Sequence, residues 1–241
     1  MKFFIDRIYR LPRVWSNQEL EKYAYLFQGD IVNVSGWKDF DKEGRYYKEY
    51  FLNADSYTIT NYKAEVKGLQ GYKNEIFLDL EQKLPAKLDQ RFNVVFNHTT
   101  LEHVYDMKTA FTNVCNLSKD IVIIVLPFLQ QYHGDYGDYW RFTPLVIKKM
   151  FEENGFKTIY QSFNSHKMSS VYIFTIASRN PEKWRAYFKW SFTYKDPKGR
   201  GAEPYIGCNA IPNTFINFYS LFKGLIMLAI NKLKIFLKKI R

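Results

Sequence analysis

Apolar residues recur at helical intervals at Leu20, Tyr23, Ala24 and Phe27, behind a Ser16–Glu19 pair with the spacing of a capping box. This predicts a helix over 17–27, ended by Gly29. Ile31 to Val34 is then a short β-branched run that stops at Ser35-Gly36, a first strand. Further apolar runs bounded by polar turns follow at 56–60, 75–78, 93–97 and 121–126, with helix-like stretches before several of them, one at 107–116. Leu145 to Asn154 reads as an amphipathic helix closed by Gly155, and 158–163 and 170–178 read as two strands joined by a polar link. Strands separated by helical segments predict an α/β fold: a mostly parallel sheet covered on both faces, closed by a terminal antiparallel pair. The pattern places this domain at 1–180, a linker or wrapping segment at 181–212, and a basic amphipathic helix at 213–241.

Charge changes the picture only at the end of the chain. The net charge of +11 is concentrated from Glu182 to Arg241, where 12 Lys/Arg face 3 Asp/Glu; the preceding residues carry 23 against 21. The domain is nearly neutral, which makes nucleic acid an unfavoured partner. Cys115 and Cys208 stand far apart with no second pair for a zinc site or a disulfide framework, and Phe3-Phe4-Ile5 is too short for a signal peptide. A reducing, cytoplasmic setting is expected.

In an open parallel sheet, ligands bind beyond the carboxyl ends of the strands, near the point where strand order reverses. Those ends are polar: Asn33 to Lys38, Asn61, Asp79 to Glu81, and Asn97 to His103. Two features carry a resemblance, the strand Phe92-Asn93-Val94-Val95-Phe96-Asn97 with its continuation Leu101-Glu102-His103-Val104, and the segment Asp138-Tyr139-Trp140-Arg141-Phe142-Thr143-Pro144. With them, the chain from about Gly29 to Ser178 resembles a class I, S-adenosylmethionine-dependent methyltransferase of the type 11 family, and the second segment resembles glycan-associated members. The resemblance implies a Rossmann-like sheet and S-adenosylmethionine as cofactor. It implies that Asp79 and the backbone of Leu80 meet the adenine, and that Asn61 stands where the family places a ribose-binding carboxylate. Asn33, Ser35, Gly36 and Asn97 complete the expected cofactor set. The first loop diverges from the family: where several glycines are usual, Gly36 stands alone before Trp37.

Methyl transfer needs positioning and, for a hydroxyl acceptor, removal of a proton. His98, His133 and Asp138 are the candidate catalytic groups, with Glu102 able to orient a histidine. His103, Tyr139 and Arg141 are candidate substrate contacts, although His103 also reads as a structural hydrogen-bonding residue and Arg141 equally as half of an internal ion pair. Trp140 and Phe142 read as core. Histidines beside carboxylates raise the question of a metal, but no helix bears a His-Glu-x-x-His pattern, and none is expected.

In the tail, Phe218, Phe222, Leu225, Ile226, Ala229 and Leu233 share one apolar helical face, and the six basic residues from Lys223 onward meet no acid. This favours an interfacial helix on an anionic membrane surface, against packing on the domain or on a second subunit. The expected function is methyl transfer to an oxygen or nitrogen of a polar acceptor, a sugar or lipid-linked glycan favoured. The alternative is an inactive methyltransferase-like scaffold in a membrane-associated glycan pathway.

Overall fold

The computed structural model describes residues 6–63, 65, 68–134, 137–166 and 168–188, and in the tail 222, 225, 226, 229 and 230. The rest of the expected linker and tail lies outside the described residues.

Seven strands form one sheet: β1 Gln28–Val34, β2 Asn53–Asn61, β3 Glu75–Phe77, β4 Phe92–His98, β5 Ser118–Leu129, β6 Lys157–Phe163 and β7 Val171–Ser178. Their order is β3-β2-β1-β4-β5-β7-β6. The first five run parallel, and β7 is antiparallel to both neighbours, the expected terminal hairpin. Strand order reverses between β1 and β4, whose carboxyl ends at Val34 and Asn97 lie in register. That crevice is where an open sheet of this kind takes its ligand.

Side-chain alternation splits the core into two layers. Val32, Val34, Val95, Val122 and Ile124 face one way, toward Phe111 of helix α2 (Met107–Asn116) and Phe151 of α3 (Pro144–Glu153). Ile31, Val94, Phe96, Ile121 and Ile123 face the other, toward Leu20 of α1 (Arg10–Tyr23). The α2 start is set by Asp106, whose side chain accepts from Thr109 N, and α3 by Thr143 with Pro144 at its first turn.

Three expectations are corrected. The first helix begins at Arg10, seven residues early, so Ser16 is no cap: its hydroxyl donates to the Arg13 carbonyl at 2.9 Å and meets His98. Gly29 lies inside β1, not at a helix end, with φ +91°; a Cβ there would sit 2.5 Å from Asn93 Cγ, because Asn93 Oδ1 accepts from Asp30 N at the register shift. Among the described residues, of the connections from β1 to β5 only that between β4 and β5 is an α-helix; Tyr47–Tyr50 and Ala86–Leu88 are single 3₁₀ turns. The first residues of the segment after Asn180 lie on the sheet. Trp184 donates its indole N–H to Asp120 Oδ2 at 3.0 Å, and Phe188 packs against Tyr23 and Tyr160.

Phe151 is fully buried, with its ring 4.9 Å from that of Phe111. Phe151→Ala is expected to remove about 3–5 kcal/mol of stability, read as a lower urea midpoint with unchanged slope.

Candidate active site

At the carboxyl end of β1 the chain turns through Ser35, Trp37 and Asp39, all left-handed at φ 55°, 49° and 62°. Non-glycine residues rarely hold that geometry, so something must pin the loop. The pins come from the end of β2. Thr60 accepts from Ser35 N and Gly36 N at 3.3 and 3.2 Å, and Asn61 Oδ1 accepts from Trp37 N at 2.7 Å while its Nδ2 donates to Trp37 O at 3.0 Å. The same Nδ2 reaches Glu75 Oε1 at 2.5 Å, so Asn61, buried, is occupied by protein. Glu75 also accepts from Gln70, Gly71 and Tyr72 N–H groups, which hold its carboxyl below the usual range against partial burial.

Asn33 donates to Asp39 Oδ1 at 2.8 Å, and a Cβ on Gly36 would stand 2.6 Å from that amide nitrogen. The glycine is therefore demanded by packing inside the loop. Asp39 is buried, and burial raises its pKa although Asn33, Tyr57 and the Lys48 N–H all donate to it. Asn97 ties the two central strands together, its Nδ2 donating to Val34 O at 2.9 Å, while its buried Oδ1 has no partner. Asp79 is half-buried and caps Glu81 N at 2.9 Å; the Leu80 carbonyl is engaged by Asn113.

His98 is spent on structure. The Ser16 hydroxyl gives its hydrogen to Arg13 O, so His98 Nε2 donates to Ser16 Oγ at 2.8 Å, and Nδ1 accepts from Thr99 Oγ1 at 3.2 Å. Burial, with Arg13 adding to it, pushes its pKa well below the histidine range.

The second cluster sits past β4 and β5, where the segment 137–141 is strapped to Leu101–Tyr105. Tyr139 N donates to Glu102 O at 2.8 Å, Trp140 Nε1 donates to Val104 O at 3.0 Å, and His103 Nδ1 donates to Gly137 O. His133 and His103 meet edge to face at 4.9 Å. His133 Nδ1 lies 3.3 Å from Asp138 Oδ2, which also accepts the His133 N–H at 2.9 Å. Arg141 grips Asp138 with two nitrogens at 2.5 and 2.7 Å. Against burial, these contacts hold Asp138 at about 2. Burial lowers the His133 pKa, with Asp138 opposing. Arg141 thus forms the internal pair. Phe142 is core; Trp140 is 38% exposed and lies at the surface with Tyr139.

Donor atoms of His103, His133 and Asp138 lie within 4.8 Å of one another. Asp138 Oδ2 already takes two donors, so the cluster as built is a hydrogen-bonded acid–base group. The sequence brought together Asn33, Ser35, Gly36, Asn61 and Asn97 in one crevice and His103, His133, Asp138 and Arg141 in another cluster. It did not signal Asp39, Glu75 or Arg13; the positions of the first two follow from loop geometry.

No family model matches this chain, and no curated protein matches it. Among solved structures it is similar to a candidate methyltransferase of Bacillus halodurans C-125, at a TM-score of 0.51 and 11% identity, over 67% of this chain and 97% of that one. Others are the magnesium protoporphyrin IX methyltransferase of Synechocystis PCC 6803 with S-adenosylhomocysteine (TM-score 0.45, 14% identity, 70% and 85% covered) and the 1,6-didemethyltoxoflavin-N1-methyltransferase of Burkholderia thailandensis (0.46, 16%, 68% and 80%). The first of these likenesses shows the fold: a Rossmann-like class I methyltransferase sheet.

A carboxylate whose folded pKa is depressed stabilises the fold above its unfolded value, and that stability is lost as pH falls toward the folded one. For Asp138 the window runs from about pH 4, the unfolded value, down to about 2. Asp138→Asn is expected to lower the melting temperature at pH 7 and to show a shallower loss than the parent between pH 4 and pH 2.5.

Proposed function

We propose that the chain is an S-adenosylmethionine-dependent methyltransferase acting on an oxygen or nitrogen of a polar acceptor, with a sugar or lipid-linked glycan as the favoured class. The observation that carries this reading is the unpaired, buried Oδ1 of Asn97 at the point of strand reversal. It is an acceptor awaiting a donor, and it suits the ammonium of the cofactor's methionine end. Asp79 and Leu80 are assigned to the adenine and Asn61 to the ribose. For that contact Asn61 must release Trp37, since its amide is fully engaged without ligand.

The bound cofactor supplies an electrophilic methyl on a sulfonium. This chain's residues position the acceptor and take its proton. His133 is neutral near pH 7 because burial disfavours its charge, and Asp138, ionised and gripped by Arg141, stabilises the imidazolium that forms when His133 accepts the proton. Tyr139, exposed beside Tyr105 at 5.4 Å, offers an aromatic face to the acceptor.

The tail supports a peripheral position. Phe222, Leu225, Ile226, Ala229 and Ile230 are helical and exposed, on the i, i+3, i+4, i+7, i+8 positions of one face. Among the described residues no helix is long and apolar enough to cross a membrane. We assign this face, with its flanking lysines, to the anionic inner surface of a membrane.

A non-catalytic scaffold is the second reading, favoured by the closed Asn61–Trp37 clasp. Calorimetry separates the two. Micromolar binding of S-adenosylhomocysteine, weakened at least tenfold by Asp79→Ala, is expected of the enzyme; no binding at millimolar ligand by a folded chain leaves the scaffold.

With an acceptor identified by transfer of labelled methyl, His133→Ala is expected to lower kcat about 10²–10⁴-fold. In the parent, the rising limb of kcat/KM against pH is expected below about 6.5, the ordinary histidine value. For the tail, full-length protein is expected to sediment with phosphatidylglycerol vesicles and to be released by high salt. Equal sedimentation with neutral vesicles would remove the electrostatic part of the assignment.

A further inference from the structure

The proton transfer proposed above leaves a second set of buried polar groups unused. Arg13 projects from α1 one turn before Ser16, whose hydroxyl bonds its carbonyl. Its guanidinium lies within electrostatic range of Tyr172, at the start of β7, and of Tyr47, Glu102 and His98. Among the described residues Arg13 forms no ion pair. Its Nε, the Tyr172 hydroxyl, Gln130 Oε1 and Glu102 Oε2 are buried without a well-formed hydrogen bond, and Arg13, Tyr172 and Gln130 lie close enough to interact with one another.

A guanidinium taken out of water needs a counter-charge, because desolvation costs several kcal/mol per ion and is recovered only through good pairing. Glu102 is the carboxylate in range, yet it is 1% exposed and makes no contact with Arg13 close enough to count as a salt bridge. Burial also pushes its pKa up, which weakens it as a permanent counter-ion. The other acids of this cluster are committed elsewhere: Asp138 to Arg141, and Glu19 to Lys22, Tyr160 and Ser162. Among the described residues no carboxylate stands within salt-bridge distance of Arg13, which as a residue is still partly exposed.

We propose that Arg13 and Tyr172 bind an anionic group on the acceptor, a phosphate or a carboxylate. A guanidinium presents paired, planar donors that match either oxyanion, and the tyrosine hydroxyl adds a further donor. Arg13 is a specificity-determining contact: it selects an acceptor that carries negative charge and orients it from the α1 side, while His133 and Asp138 work from the loop after β5. That this anion belongs to a methyl acceptor rests on the proposed transfer; the anion site itself does not.

The test is calorimetric titration of the full chain, saturated with S-adenosylhomocysteine, with inorganic phosphate and separately with acetate, at fixed ionic strength. Saturable binding of at least one is expected, phosphate alone pointing to a phosphorylated acceptor and both to a site that also takes carboxylates. Arg13→Gln is expected to weaken binding at least tenfold and Tyr172→Phe several-fold. Glu102→Gln, which removes a nearby negative charge, is expected to tighten it. Affinity for S-adenosylhomocysteine stays within twofold in all three. The basic tail is identical in every variant, so binding there cancels in the comparison. No saturable binding of either anion, or equal affinity in Arg13→Gln and the parent, overturns the proposal. If Arg13→Gln does not fold, equal affinity in Tyr172→Phe and an unaltered affinity in Glu102→Gln overturn it instead. Loss of cofactor binding in the parent chain counts against the transfer reading and leaves the anion result to stand by itself.

Discussion

Ser16 Oγ stands 2.8 Å from His98 Nε2, and this bond fastens the N-terminal helix across the carboxyl end of β4. Both ring nitrogens of His98 are used, and burial keeps the ring neutral, so the fastening does not loosen near neutral pH. Leu20 in the core and Asn17 and Glu19 add further anchors along α1. Arg13 is held one turn away, over the start of β7, and Asn17 on the next turn accepts from the Tyr47 hydroxyl at 3.3 Å. Glu19 gathers Tyr160 and Ser162 of β6 at 2.5 and 2.8 Å, so the same helix spans from the central strand to the sheet edge. A histidine that reads as a base by residue type and place joins α1 to β4 through its hydrogen bonds.

The loop after β1 solves a problem of backbone geometry in an unusual manner. A glycine-rich turn would reach left-handed φ at little cost; here Ser35, Trp37 and Asp39 reach it at a cost of the order of 1–3 kcal/mol each. Amide–backbone bonds from Asn61 and the Asn33–Asp39 contact offset that cost. In this light the amide at the end of β2 is no weakened carboxylate. A carboxylate has no donor for the Trp37 carbonyl, whereas an asparagine serves the N–H and the C=O together. Apart from Gly36, the loop is held by Asn61 and Asp39 where glycines would turn it unaided.

The strands were legible because short apolar, β-branched runs are a local property: 31–34, 93–97 and 121–126 all fall within β1, β4 and β5. The helix over 107–116 was equally plain, with Asp106 as its cap. The N-terminal helix was displaced because Ser16 and Glu19 have capping spacing while their partners, His98 and Tyr160, are 82 and 141 residues away. No local pattern carries that information. The crossovers between β1 and β4 failed for a related reason: aromatic and acidic residues there are held by turns and by side chains from β2, not by an amphipathic face. Arg141 could be read two ways, and only the fold places Asp138 within its grip.

What separates a binding site from a merely polar interior is whether its groups are satisfied. The loop after β1 has its polar atoms paired, and so has the Asp138–Arg141 couple. By contrast Asn97 Oδ1, Arg13 Nε, the Tyr172 hydroxyl, Gln130 Oε1 and Glu102 Oε2 are buried without a well-formed hydrogen bond, as are Asn17 Nδ2, His133 Nδ1, Thr158 Oγ1 and Ser170 Oγ. Each such atom costs about 1–3 kcal/mol. A fold that needed them only for itself would be more stable with apolar groups of the same shape, which carry no such cost. Arg13, Tyr172, Gln130 and Glu102 group near the start of β7 and Asn97 stands at the strand reversal, two places beyond the carboxyl ends of the central strands where missing partners can arrive with a ligand.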